Sequence, residues 1–251
     1  MENQPLVSVI MPCYNMERFI SSTIESVQRQ TYPNWELCIV DDASSDKTVE
    51  IIKSYHDNDG RIHFFVKPKH SGIADTRNQC IRMAQGQYLA FLDADDVWHP
   101  EKIETQLQFM MQRHIGFSYS SYDCIDEAGC LLDKQVKAAG DLNHDDYMHN
   151  TIIGCSTVMI DTAIIGEVVV PNFRTSEDTA TWLNILKKGY LAYAIDTPLT
   201  SYRIRRKSAS SNKLKASYDL WKVYRQQEQM PLFKTIECFS SYAFNAIKKR
   251  L

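Results

Sequence analysis

Residues 7–42, VSVIMPCYNMERFISSTIESVQRQTYPNWELCIVDD, place a helical pattern between two short apolar segments. Residues 7–11 and 37–40 are rich in β-branched side chains, which is typical of strands that are buried on both faces. Between them, the apolar side chains of residues 19–27 recur at the spacing of one helix face, and Pro33 ends the helical pattern. The segment therefore predicts a strand, a helix and a second, parallel strand.

The same alternation continues through the first half of the chain. Residues 62–66 and 88–92 read as strands, and a predicted helix over residues 73–84 lies between them. Another helix is expected to begin at Pro100, a residue suited to a first helical turn. Strands that alternate with helices indicate an α/β fold with a mostly parallel, doubly wound sheet.

The second half is less regular. Predicted strands over residues 116–122, 155–160 and 191–195 are separated by long polar loops, which is where a substrate platform usually sits. We expect one functional half over residues 1–115, a second over residues 116–215, and a C-terminal helical tail over residues 216–251.

The composition argues against several classes of protein. The chain has 251 residues and a formal net charge of −3, whereas nucleic-acid partners require many Lys and Arg side chains against the phosphates. Its seven cysteines include no CxxC pair, so neither a disulfide framework nor a zinc ribbon is indicated. The N-terminal sequence does not resemble a signal peptide, and no apolar run reaches the ~20 residues of a membrane span. We therefore expect a cytoplasmic protein.

Acidic residues follow the predicted strand at residues 88–92. Asp93 and Asp95 are two positions apart, so in an extended chain their side chains point to the same side, and two nearby carboxylates need a cation to stay ionised. Hard oxygen ligands in small number favour Mn²⁺ or Mg²⁺ as the cofactor. Asp96 has two interpretations, a metal ligand or the cap of the helix that begins near Pro100.

Three more residues are candidates because ligands bind such sheets beyond the carboxyl ends of the strands. Asp42 suits a nucleobase or a ribose, or alternatively a turn and helix cap. Gly72 permits close approach of the backbone to a ligand. Arg77 suits a phosphate or an acidic partner, although an arginine on a helix is more often a solvated surface charge.

Three segments in order resemble the successive motifs of the family 2 glycosyltransferases: residues 7–48, HSGIADTRNQCI at residues 70–81, and AQGQYLAFLDADDVWHPEKIETQ at residues 84–106. The resemblance covers about residues 5–110 and implies a GT-A type fold, in which a nucleotide-sugar-binding half is fused to an acceptor-binding half. It implies a nucleotide pocket lined by Pro12, Tyr14, Asn15 and Glu17, with Asp42 on the base and Asp93 and Ala94 at the diphosphate; Gly72 and Arg77 join these nucleotide-binding candidates through their position after the strands. Asp93-Ala94-Asp95 then resembles the DxD element, in which Asp95 is the main metal ligand, assisted by Asp93.

The resemblance also points to a general base in SEDTATWLNILKKG, residues 176–189, where Ser176 precedes a predicted helix and Gly189 follows it. Inverting members of the family carry an acidic pair here, which implies Asp178 as the base and Glu177 as its neighbour or substitute. The chain pattern alone would make these acids structural, since acids in a first turn stabilise a helix.

The implied activity is that of an inverting, metal-dependent hexosyltransferase with a UDP-sugar donor. The sequence lacks the QxxRW element and the membrane helices of processive synthases, so we expect transfer of one sugar to a glycan or a polyprenyl-diphosphate-linked saccharide. The setting would be the biosynthesis of a surface polysaccharide, such as lipopolysaccharide O-antigen or capsule. Residues 201–215 form a basic segment in which Tyr202-Arg203 followed by Ser208 resembles the family's loop over the donor diphosphate, although basic runs are more often solvated. Arg203 is a candidate contact, and the choice among the arginines of residues 203–206 stays open.

The C-terminal residues 231–251 form an amphipathic helical pattern that ends in IKKRL. Such a helix more often packs on its own domain, and the alternative is peripheral contact with the inner face of the cell membrane. Two other functions stay open. A sugar nucleotidyltransferase would need a Gly-rich, Lys-bearing loop that PCYNMERF does not provide, and a non-catalytic nucleotide-sugar-binding module would keep the binding acids without turnover.

Overall fold

The computed structural model describes residues 4–205 and 213–248, so Ser208 of the basic segment and the terminal Lys249 and Arg250 lie outside the described residues. The first half contains the four predicted strands joined by three helices. The strands are β1 (Val7–Cys13), β2 (Trp35–Asp41), β3 (Ile62–Val66) and β4 (Tyr88–Phe91), and the helices are α1 (Ile20–Gln28), α2 (Thr48–His56) and α3 (Ile73–Met83). The strands pair in the parallel order β3-β2-β1-β4, which confirms the predicted strand and helix alternation.

The sheet continues into the second half through antiparallel pairs. Its strands there are β6 (Phe117–Ile125), β7 (Leu131–Val136), β8 (Met159–Asp161) and β9 (Tyr193–Arg203), joined at the end of the sheet by the short strand β5 (Val97–Trp98) of the first half. They extend the sheet in the order β4-β8-β6-β9-β5, with β7 paired to β6. β8 is antiparallel to both β4 and β6, whereas β6 and β9 are parallel. The first four strands are thus entirely parallel, as helices connect each to the next, whereas parallel and antiparallel pairs are mixed in the rest of the sheet.

The remaining helices flank this sheet and form the tail. They are α4 (Lys102–Arg113), α5 (His144–His149), α6 (Thr162–Ile165), α7 (Glu177–Leu186), α8 (Lys213–Lys222) and α9 (Leu232–Lys248), with a π-helical turn at Val223–Gln227. α7 and α9 lie where the sequence predicts helices. Across residues 4–205 and 213–248, no helix has both the length and the hydropathy that crossing a membrane requires.

The predicted strand at residues 155–160 divides into two structures. Cys155–Thr157 form a 3₁₀ turn, and the strand itself is Met159–Asp161. The turn directs the Ser156 hydroxyl to Asp96, to which it donates a hydrogen bond of 2.6 Å. An unpaired buried polar group costs ~1–3 kcal/mol, so this contact favours the turn over a longer strand.

Alternate side chains of each central strand pack into two different cores, one on each face of the sheet. Ile10 of β1 lies in one buried cluster with Trp182 of α7, and Val9 lies in the other with Ile24 of α1. Burial on both faces explains why these strands appear as continuous apolar runs. Because β1, β2 and β4 are parallel, the loops that follow them meet at one edge of the sheet.

Candidate active site

The loops that follow β1 and β2 are joined by hydrogen bonds. Asn15, in the left-handed region with a φ of 53°, accepts at Oδ1 from the N–H of Ser45 over 2.9 Å. Glu17 accepts at Oε2 from the N–H of Lys47 over 3.0 Å. Two of the residues expected to line a nucleotide pocket thus fix the shape of the loop after β2.

An aromatic surface lies beside these loops. Pro12 is buried within β1, whereas Tyr14 is 41% exposed and its ring centroid lies 4.4 Å from that of His70. The His70 Nδ1 atom is in turn 2.9 Å from Asp42 Oδ2. An exposed ring next to a carboxylate is suited to a nucleobase, because bases stack on aromatic side chains and carboxylates accept from their N–H groups.

Asp42 fixes the start of α3. Its Oδ1 accepts from the N–H of Ser71 over 2.9 Å and its Oδ2 from the N–H of Gly72 over 2.8 Å. Burial opposes ionisation, but these two N–H groups and His70 outweigh it and lower the pKa of Asp42. Gly72 has a φ of 96°, a conformation that favours glycine. Asp42 therefore carries a negative charge and fixes the loop that precedes α3.

The acidic segment after β4 is crowded, with Asp93 and Asp95 partly buried and Asp96 fully buried. Asp93 Oδ1 accepts from Arg77 Nη2 over 2.6 Å. Asp95 Oδ2 lies 2.6 Å from Arg205 Nε, whose N–H is not directed at the oxygen, so this contact is an ion pair rather than a hydrogen bond. Burial, opposed by Arg205 and reinforced by Asp93, raises the pKa of Asp95. Ala94 is buried between the two acids.

Asp96 is buried and bonded to two other segments of the chain. Its Oδ2 accepts from the Ser156 hydroxyl and its Oδ1 from the N–H of Arg203 over 2.9 Å. Burial and then the neighbouring carboxylates raise the pKa of Asp96 well above its usual value. α4 begins at Lys102 without a side-chain cap, so the interpretation of Asp96 as a helix cap is wrong.

Arg77 joins the two acidic segments of the site. Its side chain is 3% exposed, with Nη1 donating to Glu177 Oε1 over 2.7 Å and Nη2 donating to Asp93. Of the two roles expected for Arg77, the structure places it against acids, one from each half of the chain, and contact with a donor phosphate stays a prediction.

The acidic pair lies in the first turn of α7, as expected. Burial, opposed by Arg77 and reinforced by Asp178, raises the pKa of Glu177 to about 7. Asp178 is half-buried and accepts at Oδ1 from the N–H of Thr179 over 2.6 Å. Burial also raises the pKa of Asp178, with Arg77 opposing the shift.

Two arginines of the basic segment have different surroundings. Arg203 is buried, and its guanidinium donates to the carbonyl oxygens of Asp95 over 2.7 Å and Asp126 over 3.1 Å. It holds the backbone of the acidic segment, and its contact with a donor phosphate stays a prediction. Arg205, two residues later, is the arginine that lies against the Asp95 carboxylate.

Asp93 and Asp95 fit a divalent ion in number and chemistry. Mg²⁺ and Mn²⁺ prefer oxygen ligands, use one or two carboxylates and complete their shell with water and substrate phosphates. Within residues 4–205 and 213–248, no group of three or more His, Cys, Asp or Glu side chains is arranged to hold an ion by itself. A metal site built on these acids would therefore take its remaining ligands from a bound diphosphate.

The chain is similar over nearly its full length to bacterial glycosyltransferases. The sequence model of "Glycosyl transferase family 2" matches residues 8–137. TuaG of Bacillus subtilis (strain 168), named as a candidate teichuronic acid biosynthesis glycosyltransferase, is 48% identical over 248 residues, which cover 99% of this chain and 98% of TuaG. WfgD of Escherichia coli, named a UDP-Glc:alpha-D-GlcNAc-diphosphoundecaprenol beta-1,3-glucosyltransferase, is 37% identical over 97% of this chain and 94% of its own.

Two solved structures share the fold. Staphylococcus aureus TarS 1-349 in complex with UDP-GlcNAc aligns with a TM-score of 0.71 and 20% identity, over 87% of this chain and 64% of that chain. Mannosyltransferase PcManGT from Pyrobaculum calidifontis, in complex with GDP-Man and Mn²⁺, aligns with a TM-score of 0.69 and 18% identity, over 92% and 66%. The likeness confirms the GT-A type fold expected from the sequence.

Proposed function

The chain belongs to glycosyl transferase family 2, and on that basis we propose that it moves one sugar from a UDP-sugar to a hydroxyl of a polyprenyl-diphosphate-linked saccharide, with inversion of the anomeric centre. Family membership removes the nucleotidyltransferase alternative. The observation that carries the proposal is the Arg77 contact, which joins Asp93 of the acidic segment after β4 to Glu177, the neighbour of the expected base. The relative WfgD, whose name specifies UDP-Glc and a diphosphoundecaprenol acceptor, supports both substrate classes.

The donor nucleotide is proposed to lie over the loops after β1 and β2. Tyr14 offers an exposed ring for the base, and the ionised Asp42 lies beside the adjoining His70. A stacked ring holds any base, so a carboxylate that accepts from a base N–H is needed for preference among bases. This arrangement favours uracil, whose N3–H is a donor.

Asp93 and Asp95 are proposed to hold the divalent ion, with Asp95 as the main ligand. When bound, the ion supplies Lewis-acid neutralisation of the charge that grows on the departing diphosphate. Arg205 lies against Asp95 without the ion, and its positive charge is then available to the same diphosphate. The complex of PcManGT with Mn²⁺ supports a divalent ion in a protein of this fold.

Asp178 is proposed as the general base. Burial raises the pKa of its carboxyl, which makes the carboxylate a stronger base for the proton of an acceptor hydroxyl. Arg77 keeps Glu177 in place next to it, so the base stands on a fixed helix turn. Attack by the activated hydroxyl from the face opposite the diphosphate inverts the configuration in one displacement.

Calorimetric titration tests the donor and metal assignments together. The protein and its Asp95→Ala variant are titrated with UDP, GDP and dTDP, each with and without Mn²⁺. We expect Mn²⁺-dependent binding of UDP that the variant loses, because one of the two carboxylate ligands is gone. Absence of nucleotide binding under every condition contradicts the proposal, and equal binding of all three nucleotides contradicts the preference for uridine.

A membrane contact is proposed for α9. Its first turns expose Phe233 at 81%, together with Leu232 and Ile236, and the sequence ends in Lys248, Lys249 and Arg250. Exposed apolar side chains combined with cationic residues are typical of helices that lie on an anionic bilayer. Such contact would bring the enzyme to an acceptor carried by a lipid.

Vesicle sedimentation tests this contact. Vesicles that contain phosphatidylglycerol should sediment the protein more strongly than pure phosphatidylcholine vesicles, and Phe233→Asp should reduce the bound fraction. Leu131→Asp is the control, because Leu131 is an equally exposed apolar residue on β7. Equal binding by both variants contradicts a specific role for α9.

A further inference from the structure

A cavity of about 830 Å³ lies between the start of α3, the loop at residues 172–174 and the helix α8. It is lined by His70 to Ala74 on one side and by side chains of α8, among them Lys222, on the other. Asp93 and Asp95 are not part of its lining. The cavity is therefore separate from the acids that are proposed to hold the ion on the donor diphosphate.

The charge of the cavity is opposite to that of the chain. Arg174, Lys215 and Lys222 line it with positive charge against a single acid, Asp219, whereas the whole chain has a net charge of −3. Asp219 offsets one of the three cations, since its Oδ1 accepts from Lys222 over 3.3 Å, and its Oδ2 accepts from Thr175 over 2.8 Å. A local excess of cations in an acidic chain points to an anionic ligand.

Arg174 is the cation most available to that ligand. Its side chain is exposed, and within residues 4–205 and 213–248 it has no hydrogen bond or ion pair. A guanidinium binds phosphate oxygens through two parallel N–H donors, so one arginine with a nearby lysine matches a diphosphate.

The cavity adjoins the expected base. Arg174 precedes Asp178 by four residues, a separation of at most ~14 Å even in an extended chain. An anion at Arg174 that is attached to the acceptor sugar would thus hold that sugar within reach of the base. An anion of the donor would instead have to lie at Asp93 and Asp95.

We propose that this cavity binds the diphosphate of a lipid-linked acceptor, with Arg174 and Lys222 as its main contacts. The inference rests on the proposed function, since it places the second substrate of the same reaction. The acceptor's diphosphate enters on the side of α8, and its first sugar extends toward Asp178. The donor diphosphate stays with Asp93 and Asp95.

Steady-state transfer to two matched acceptors tests the assignment. One acceptor is an N-acetylglucosaminyl diphosphate with an alkyl chain, and the other is the same sugar with the alkyl chain joined directly by oxygen. Arg174→Ala and Lys222→Ala should each raise the KM of the diphosphate acceptor about tenfold, and the double variant about a hundredfold. The KM of the UDP-sugar and the transfer to the neutral acceptor should stay within about twofold.

Conservative and distant variants serve as controls. Arg174→Lys should recover part of the lost affinity because it keeps the charge. Lys53→Ala, an exposed lysine on α2, should change neither KM. An increase in the KM of the UDP-sugar assigns the cavity to the donor and overturns the proposal, and so does an unchanged KM of the diphosphate acceptor.

Direct binding of inorganic pyrophosphate separates this inference from the proposed function. With UDP and Mn²⁺ at saturation, pyrophosphate should bind the wild-type protein in calorimetry and bind the double variant about a hundredfold more weakly. This result without any transfer activity would leave the anion site intact and contradict the proposed reaction. Equal pyrophosphate binding by both proteins overturns the site whatever the activity.

Discussion

The acidic segment after β4 and the acidic pair in α7 are both at least partly buried, yet their carboxylates have different partners. Asp93 contacts Arg77 and Asp95 lies against Arg205, so each proposed metal ligand already faces a cation. Asp178 is different, because its hydrogen-bond partner among the described residues is Thr179, the next residue in its own helix. The first segment is thus arranged to exchange one cation for another, whereas the second leaves a carboxylate able to accept a proton.

Arg77 is the physical link between these two regions. It contacts Asp93 in one and Glu177 in the other, and its charge opposes the pKa increase that burial causes in Glu177 and Asp178. The proposed metal ligands and the proposed base therefore depend on the same buried guanidinium, and the difference between the two regions lies in what else each carboxylate contacts.

Asp178→Asn has the largest expected effect and tests the difference most directly. The amide cannot take a proton from the acceptor, so kcat should fall about 10³-fold, or ~4 kcal/mol in the barrier, while UDP binding stays unchanged. Transfer assays and UDP calorimetry on the same preparation measure the two quantities. Asp145→Asn, which alters an exposed acid in the first turn of α5, should retain full activity. Unchanged turnover in Asp178→Asn would remove the distinction between the two regions and favour a non-catalytic binding module.

Removal of Arg77 should weaken both regions together. Arg77→Met leaves the buried carboxylates of Asp93 and Glu177 without their cation, so we expect a loss of about 3 kcal/mol in the free energy of unfolding. Urea denaturation measures it, and Arg82→Met, an exposed arginine of the same helix, provides the baseline for helix α3. A loss no larger than that of Arg82→Met would mean that the two regions are independent.

The first half of the fold could be predicted because its central strands are buried on both faces of the sheet, and such strands appear in the sequence as continuous apolar runs. β7, by contrast, has the sequence LLDKQV and is largely exposed, so it carries no apolar pattern. β9 extends from Tyr193 to Arg203 and includes Asp196 and Pro198, which a sequence pattern assigns to a loop. Such strands are defined by their pairing with β6, which lies far away in the sequence.

The site likewise contains residues that the sequence predicts and contacts that it does not predict. The strand-end acids and the acidic pair of α7 could be named from motif and position. The contact between Arg77 and Glu177 could not, because the two residues are 100 positions apart and an arginine in a helix looks like a surface charge. Ser156, which donates to Asp96, falls within a predicted strand, where a serine carries no polar signal of its own.

Lys102 is a buried cation that neither acidic region uses. It is 0% exposed, its Nζ has no hydrogen-bond partner in the described part of the chain, and it lies 4.2 Å from the ring centroid of Trp98. Burial lowers the pKa of Lys102 to about 7. Lys102→Met should raise the free energy of unfolding by roughly 2 kcal/mol near neutral pH, because methionine fills similar space without a charge to bury.

The sign of the pH dependence sharpens this test. Between pH 7 and 10.5 the unfolded chain keeps a proton on Lys102 that the folded chain has lost, so wild-type stability rises with pH. The difference in the free energy of unfolding between Lys102→Met and the wild type should therefore be largest below pH 7 and should decrease toward pH 10.5. Lys53→Met, an exposed substitution, should show no such trend in urea denaturation. If Lys102→Met gained the same free energy of unfolding at every pH, the charge of the Lys102 ammonium would have to be compensated in the fold, as the charge of the Arg77 guanidinium is.

Arg205→Gln has the smallest expected effect and examines the metal segment alone. An incoming ion must displace the Arg205 guanidinium from Asp95, 2.6 Å away, so removal of that charge should strengthen Mn²⁺ binding in the absence of nucleotide. We expect about a fivefold gain in affinity, equivalent to ~1 kcal/mol, because the ion pair is partly solvated. Calorimetry with Mn²⁺ alone measures it, with Arg29→Gln as the control, since Arg29 pairs with Glu25 on the surface of α1. Unchanged or weaker Mn²⁺ binding would mean that Arg205 does not compete with the ion for Asp95. The proposed exchange of one cation for another would then not distinguish the acidic segment after β4 from the acidic pair in α7.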